Sequence, residues 1–288
     1  IDDSEFCSFG ALLHPKMRSA KVPKRYLRIT SFLAVILPKI QHAMQIKFLR
    51  LYVLLVLFTL VMISQSCMRQ KHSDEVLINN FRESITYLAD DSLKGRETGS
   101  SGEWIAAEYI KERFIHAGLQ AAGEDGFFQH FSKKPHPPVQ KIEKNNSVSF
   151  GMGTVKEIKA KNVIAKWYTD SKDWIVIGAH YDHLGMGDES SLFTEGREIH
   201  NGADDNASGV AMLLELAEQL KTTELNSNVL FIAFSGEEKG LWGSNYFCDH
   251  PTIDFAKVKY MLNFDMVGRM KEENKLAIYG NGTSPSWN

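Results

Sequence analysis

The sequence of 288 residues predicts an α/β fold in which a mixed, mostly parallel central sheet is covered by helices on both faces. Two observations lead to this fold class. From residue 162 onward, short runs rich in β-branched and aromatic residues alternate with stretches of helical periodicity. These runs are apolar at nearly every position, as in strands that are buried on both faces of a sheet. In such folds the ligand site lies beyond the carboxyl ends of the strands.

The individual elements follow from the same patterns. Strands are predicted at residues 162–167, 174–178, 229–234, 260–264 and 276–279. Four segments have apolar side chains at helical spacing, and they are residues 76–88, 104–117, 207–220 and 241–247. A loop rich in Gly and Ser is expected at 90–101, and a polar surface segment with several prolines at 133–146.

Charge is distributed unevenly along the chain. Residues 1–66 hold nine Lys and Arg and three acidic residues, although the whole chain has a net charge of -2. Residues 67–288 therefore carry a net charge of -8. Nucleic-acid binding needs a concentrated positive field, so an acidic body argues against nucleic acid as a partner.

The basic N-terminal part resembles a secretory signal. Positive residues at 44–50 precede an uncharged apolar run at 51–63 and a short exit ending at Cys67. We interpret 44–67 as a signal peptide with Cys67 as a lipidated cysteine, and an uncleaved signal anchor is the alternative. Both interpretations predict an exported protein, in the periplasm or at the cell surface, that touches the membrane only through its N-terminus.

The domain organisation follows from this interpretation. Residues 1–43 are expected to be a non-native or unstructured extension, 68–75 a polar tether, and 76–288 the folded body. Of the three cysteines, export and lipidation would leave Cys248 alone. We therefore expect no internal disulfide, so that the core and any metal must stabilise the fold.

Acidic and histidine side chains follow three of the predicted strands directly. They are His180, Asp182 and His183 after the second strand, Glu237 and Glu238 after the third, and Asp265 after the fourth. A further acidic turn, Asp204-Asp205-Asn206, precedes a predicted helix. Several carboxylates at one sheet edge would repel one another unless a cation lies between them. Imidazole and carboxylate are ligands that Zn²⁺ accepts, and carboxylate-rich sites can hold two ions.

Each of these features also has an ordinary structural interpretation. His180 alone could be a hydrogen-bonded interior histidine, and the 204–206 turn could cap a helix. Glu237 and Glu238 could be a solvated pair, and Asp265 could pair with Arg269. Taken together these interpretations are weaker, because they do not explain why each acidic group comes directly after an apolar strand.

Four segments, at 178–183, 202–209, 235–244 and 263–269, closely resemble the bacterial leucyl aminopeptidase-like zinc exopeptidases. The resemblance extends from about Phe81 to the C-terminus and includes 93–96. It implies a zinc-exopeptidase fold of the phosphorylase/hydrolase-like type with two zinc ions. The implied ligands are His180 on one ion, Asp205 between both, and Glu238 and Asp265 on opposite ions.

The resemblance also implies roles for residues that do not bind metal. Asp182 would orient the ring of His180, and Glu237 would be the general base that takes a proton from the attacking water. His183 and Asp204 lie nearby and are assigned no ligand role. The family has one more histidine ligand downstream, whereas no histidine follows His250 here. We therefore expect a truncated C-terminus with an incomplete sheet.

The sequence thus predicts a zinc-dependent exopeptidase, and in the first place an aminopeptidase that hydrolyses N-terminal residues of peptides. A carboxypeptidase-type peptidase or a glutaminyl cyclase on the same scaffold is the second hypothesis, and a non-catalytic binding relative is the third. Every ligand position that the chain reaches is filled, which argues against the third. Metal content would separate the first hypothesis from the cyclase.

Overall fold

The computed structural model describes residues 24–135, 139–144, 147–152, 155–187, 191–193, 196–269 and 277–283. The chain divides into two compact units, Ile1–His72 and Ser73–Asn288, which are described separately. The first 23 residues of the predicted extension lie outside the described residues.

The described residues of the first unit, 24–72, are helical. Helix α1 spans Lys24–Leu88, and the sequence analysis expected helix only from residue 76 onward. Residues 68–75, predicted as a tether, are therefore helical. The reason is local, because residues 24–88 contain no Gly and a single Pro, at position 38. Within α1, Ile36–Thr59 is long and apolar enough to cross a membrane, with a mean hydropathy of 1.3, and a signal sequence has the same property.

The second unit contains a six-stranded mixed sheet in the order β1-β5-β7-β6-β8, with β2 also paired to β5. The strands are β1 Gln120–Ala121, β2 Phe128–Lys133, β5 Ile158–Trp167, β6 Trp174–His180, β7 Asn228–Phe234 and β8 Val258–Asn263. Strand β6 pairs in parallel with both β7 and β8. Strand β5 is antiparallel to β7, β1 and β2. The predicted mixed sheet is confirmed, but it is not mostly parallel. Two strand pairs are parallel, among the three strands that lead to the acidic turns, and the three pairs that β5 makes are antiparallel.

The structure contains strands that the sequence did not predict and lacks one that it did. Half of the segment 133–146, expected as a polar surface excursion, belongs to strands: β2 ends at Lys133, and β3 Val139–Lys144 pairs with β4 Ser147–Met152 in a separate antiparallel sheet. Conversely, residues 277–279 form no strand, and Leu276 lies outside the described residues. Ile278 and Tyr279 are 77% and 92% exposed, and β-branched or aromatic residues form strands only where a partner strand and a packing surface are present.

The second unit contains residues 73–88 of α1 and the helices α2 Ser101–His116, α3 Gly209–Gln219 and α4 Trp242–Asp249. Helix α2 begins where the Ser100 hydroxyl accepts a hydrogen bond from the Glu103 N–H. Helix α3 begins two residues later than predicted, because Asp205 and Asn206 have non-helical backbone angles in the preceding turn.

The side chains of β7 show how the two faces of the sheet are covered. Val229, Phe231 and Ala233 belong to a core with α2 and α3. Leu230, Ile232 and Phe234 point to the opposite face and share a second core with Phe247 of α4. Helices therefore cover both faces, as the sequence predicts, and every residue of β7 is buried.

Candidate metal centre

The predicted ligands meet at the carboxyl edge of the three parallel strands. His180 is the last residue of β6, and Asp265 comes two residues after the end of β8. Glu237 and Glu238 follow β7 after a two-residue turn. The structure brings these four side chains together with Asp205, which lies in the turn before α3.

One group of metal-binding atoms is centred on His180. Its Nε2 lies 3.2 Å from Asp205 Oδ1 and 3.5 Å from Asp265 Oδ1. These three atoms are close enough to hold one metal ion. An imidazole nitrogen with two carboxylate oxygens is a donor set that fits zinc.

A second group contains His183, to which the sequence analysis gave no ligand role. Its Nδ1 lies 2.6 Å from Glu238 Oε1 and 4.0 Å from Asp205 Oδ2. The two groups share Asp205, whose Oδ1 faces His180 and whose Oδ2 faces His183. Asp205 is therefore placed to bridge two ions, as the resemblance implies.

The ring of His180 is oriented through its other nitrogen. Nδ1 lies 3.2 Å from the backbone carbonyl oxygen of Asp182 and 3.7 Å from its carboxylate. The nearer partner of Nδ1 is thus the Asp182 carbonyl oxygen, whereas the resemblance implies that the Asp182 carboxylate orients the ring. The buried Asp182 carboxylate instead accepts hydrogen bonds from the Thr98 hydroxyl at 2.8 Å and the Glu237 N–H at 3.0 Å.

The electrostatics of this edge favour a cation. Burial disfavours the charged form of the His180 ring. Contacts with the carboxylates of Asp182, Asp205 and Asp265 together have a larger, opposite effect, and they raise the pKa of His180 to about 12. The same contact with His180 lowers the pKa of Asp205. Without metal, a proton on His180 compensates the carboxylates, and a metal ion would take the place of that proton.

Glu237 lies beside the His180 group without belonging to either group of metal-binding atoms. Its Oε2 is 4.0 Å from His180 Nε2, and its side chain is 35% exposed. Partial burial raises the pKa of Glu237, against the opposing charge of His180. A raised pKa makes a carboxylate a stronger base, which suits a group that accepts a proton.

Asn206 ties the turn of Asp205 to the loop of Asp265. Its side-chain oxygen accepts hydrogen bonds from the N–H groups of Gly209 and Met266, at 3.0 and 3.2 Å. Its side-chain nitrogen donates to the Phe264 carbonyl at 2.9 Å. The helix cap expected at 204–206 is therefore present. Asn206 also joins two loops, a role that was not predicted from the sequence.

Arg96 is a buried cation that the sequence analysis named within a motif without assigning it a role. Its guanidinium donates to the carbonyls of Tyr181 at 2.9 Å, Asn201 at 2.7 Å and Gly202 at 3.0 Å, and also to Leu88. Burial lowers the pKa of Arg96 to about 10, so it stays charged at neutral pH. Arg96 thus fixes the backbone immediately before Asp182 and shortly before Asp205.

Asp204 has a structural position next to the site. Its carboxylate accepts a hydrogen bond from the Gly268 N–H at 2.9 Å, and its other oxygen lies 3.5 Å from Nε of Arg269. Arg269 therefore pairs with Asp204, and the alternative pairing of Arg269 with Asp265 was wrong. This leaves the Asp265 carboxylate facing His180.

A cavity of about 660 Å³ opens beside the His180 group. His180, Glu237 and Asp265 lie along its polar part. Its remaining lining is mostly apolar, and includes Val176, Phe234, Leu241, Phe247, Phe255, Val258 and Met261. The free thiol of Cys248 also lines it.

Comparison with known proteins gives a consistent result. Residues 162–288, which carry every residue of the candidate metal centre, match Peptidase family M28. The chain is 30% identical over 151 residues to the alkaline phosphatase isozyme conversion protein of Escherichia coli K12, covering 52% of this chain and 40% of that protein. It is 35% identical over 124 residues to a probable leucine aminopeptidase of Trichophyton verrucosum, covering 41% and 31%.

The matched region is thus less than half the length of these curated relatives. Among solved structures, the aminopeptidase from Aneurinibacillus sp. strain AM-1 superposes with a TM-score of 0.50 at 19% identity, over 66% of this chain and 70% of that chain. This likeness confirms the fold class. The family match and the curated relatives support Peptidase family M28 for the region that holds the candidate ligands.

Proposed function

From the match of residues 162–288 to Peptidase family M28, we propose that this protein is a zinc-dependent exopeptidase, and specifically an aminopeptidase acting on peptides. The observation that carries the proposal is the pair of ligand groups that share Asp205, with Glu237 beside them. Such an arrangement matches the requirements of metal-assisted peptide hydrolysis.

The residues present fit two zinc ions. His180, Asp205 and Asp265 would hold one ion, and Asp205 and Glu238 would take part in holding the other. Bound zinc supplies Lewis acidity, which makes a water molecule more acidic and polarises the scissile carbonyl.

Glu237 supplies the proton transfer in this proposal. Its carboxylate accepts a proton from the attacking water and passes it to the leaving amine. Partial burial raises the pKa of Glu237, which makes its carboxylate a better proton acceptor. The hydrogen bond from its N–H to the buried Asp182 fixes the backbone of the loop that carries it.

Two observations support an aminopeptidase that prefers apolar residues next to the cleaved bond. One curated relative bears the name probable leucine aminopeptidase. In addition, the cavity next to His180 and Glu237 is lined mainly by apolar side chains, which can accommodate an apolar residue next to the cleaved bond.

We also propose that the peptidase acts outside the cytoplasm. The apolar stretch Ile36–Thr59 of α1 would serve as a signal or an anchor, with Cys67 as the lipidated residue. The acidic charge of residues 67–288 disfavours nucleic acid as a partner.

The test is an assay of the full chain, purified in detergent, on leucine p-nitroanilide and on its N-acetylated form, with and without a chelator. We expect cleavage of the free-amine substrate only, lost on chelation and restored by zinc. The variant Glu237→Gln should bind zinc normally and lose about 10²–10⁴-fold in kcat. Cleavage of the acetylated substrate, or no cleavage by the zinc-loaded chain, would contradict the aminopeptidase proposal.

A further inference from the structure

Glu103 is a buried acidic residue that the proposed function does not use. It lies in the first turn of α2 and is fully buried. Burying a carboxyl group costs free energy, so a residue of this kind in the interior calls for an explanation. We propose that Glu103 is a positioning residue for Glu237, because its two oxygens support the loop of Glu237 from two sides. This inference rests on the proposed function, which makes Glu237 the general base.

The first connection runs through Ser235, which follows β7 directly and precedes Glu237 by two positions. The Ser235 hydroxyl donates a hydrogen bond to Oε1 of Glu103. The Ser235 N–H donates to the side-chain oxygen of Asn162 at 3.1 Å, and its carbonyl accepts from the Gly243 N–H at 2.9 Å. Ser235 is fully buried, so these hydrogen bonds are shielded from water. The start of the loop is therefore held by α2, β5 and α4 together.

The second connection runs through Asp182. The other oxygen of Glu103, Oε2, accepts a hydrogen bond from the Gly99 N–H at 2.6 Å. Thr98 precedes Gly99, and its hydroxyl donates to Oδ2 of Asp182 at 2.8 Å. Oδ1 of Asp182 accepts from the Glu237 N–H at 3.0 Å. Glu103 therefore fixes the backbone next to Thr98, and through Asp182 this contact reaches the N–H of the general base.

The loop needs such support because a glycine lies between its two fixed points. Gly236 has a φ of 71°, in the region that favours glycine, and glycine restricts the backbone less than any other residue. A general base must lie within hydrogen-bond reach of the water from which it takes a proton. A displacement of about 1 Å can lower a rate by about 100-fold. Contacts at Ser235 and at the Glu237 N–H therefore set the position of the Glu237 carboxylate.

A purely structural role for Glu103 would be to cap α2. An acidic residue in the first turn of a helix often accepts a hydrogen bond from a backbone N–H at the helix start, as Oε2 does from Gly99. This role does not involve Oε1 or the Ser235 hydroxyl. Capping alone predicts that Ser235→Ala leaves catalysis unchanged, whereas a positioning role predicts that Ser235→Ala lowers kcat.

The experiment measures kcat, KM and bound zinc for Ser235→Ala in the full chain in detergent, with leucine p-nitroanilide as the substrate. We expect kcat to fall about 10–100-fold. KM and zinc content should stay nearly unchanged, because the variant alters neither a candidate ligand nor a residue of the cavity. Ser84→Ala is the control and should keep its kcat. Ser84 is also buried, and its hydroxyl accepts hydrogen bonds from Tyr109 and Arg113, away from the candidate metal centre.

Three further variants test whether the effect involves both Glu103 and Glu237. Glu103→Gln keeps an oxygen for the Gly99 N–H and a nitrogen that can donate to the Ser235 hydroxyl, so its kcat should stay within a few-fold. Glu103→Leu has neither group and should lose as much kcat as Ser235→Ala. In a chain that already carries Glu237→Gln, Ser235→Ala should lower the residual kcat no further, because the group that it positions has been replaced.

The inference is overturned if Ser235→Ala keeps the kcat of the unaltered chain, or if it lowers kcat by the same factor with and without Glu237. A fall in kcat that is explained by loss of zinc would also contradict it. In each of these cases, chelator-sensitive cleavage by the unaltered chain leaves the proposed peptidase function standing. Absence of cleavage by the zinc-loaded, unaltered chain would overturn the proposed function, and this inference with it.

Discussion

The His180 group and the His183 group share Asp205 but are built in different ways. His180 ends strand β6 and Asp265 follows the neighbouring strand β8, so regular parallel pairing sets the distance between them. His183 lies three residues beyond β6, and its partner Glu238 lies four residues beyond β7, so loop conformation sets theirs. Strand pairing therefore predicts which candidate ligands at strand ends lie close together. The position of a candidate ligand on a loop depends instead on the buried groups that hold the loop in place.

The largest expected effect separates the two groups directly. Asp265→Asn removes a carboxylate from the His180 group alone. It should therefore weaken the binding of one zinc ion by more than about 100-fold and leave the affinity for the other nearly unchanged. Chelator-competition titration checks this, with the exposed acid Asp254→Asn as a control. Equal weakening of both ions would show that the groups do not bind metal independently.

Arg96 should affect both groups, because it holds the backbone before Asp182 and near Asp205. Arg96→Lys keeps the charge but cannot span the four carbonyls, so buried acceptors lose their donors. We expect a loss of about 2 kcal/mol in the free energy of unfolding and weaker binding of both ions. Urea unfolding of this variant beside Arg82→Lys, which alters an exposed arginine, measures the effect. A change confined to one ion would contradict the common role of Arg96.

Asn206 should matter more to the His180 group, because it joins the turn of Asp205 to the loop of Asp265. Asn206→Ala removes three hydrogen bonds and should weaken the first ion about tenfold, with a smaller effect on the second. Asn228→Ala is a matched control, since Asn228 is equally buried and hydrogen-bonded but lies at the opposite end of β7. If both variants weaken zinc binding equally, the effect reflects a general loss of protein stability.

The last prediction concerns the pH dependence of stability and involves Glu103, which contacts Ser235 in the loop that carries Glu238. Burial and the charge of Asp182 raise the pKa of Glu103 to about 8, and its carboxylate accepts from the Ser235 hydroxyl. The folded state therefore holds a proton that the unfolded chain, with a pKa of about 4.3, has released. This contribution to stability is complete below about pH 4 and is lost as the pH rises to about 8, by up to about 1.4 kcal/mol per unit.

Glu103→Gln mimics the protonated group, so it should remove this part of the pH dependence. Urea unfolding at pH 5, 6 and 7 compares it with Glu112→Gln, an exposed residue of the same helix. An unchanged slope in Glu103→Gln would show that Glu103 is ionised in the folded protein.

The contrast between strand ends and loops also explains which features could be predicted from the sequence. Strands β6, β7 and β8 are apolar runs followed directly by His180, Glu237 and Asp265, so their pattern located both the sheet edge and the predicted ligands. Strands β3 and β4 form a separate two-stranded sheet, and neither contains a continuous apolar run like those of β6 and β7.

The missed site residues have a common physical reason. Arg96, Asn206 and His183 act through partners far away in the sequence, such as Tyr181 for Arg96 and Phe264 for Asn206. Local periodicity contains no information on such contacts. His183 lies three residues after His180 in the same motif, and only the structure shows that its Nδ1 lies beside the Glu238 carboxylate.

The central claim is that Asp205 bridges two metal ions, and zinc binding to Asp205→Asn tests it most directly. Equilibrium dialysis of the full chain should give close to two zinc ions per chain, because each oxygen of Asp205 faces a different ligand group. Under the same conditions Asp205→Asn should lose both ions, while the far-UV circular dichroism stays unchanged. Retention of one tightly bound zinc ion by Asp205→Asn would contradict the bridge.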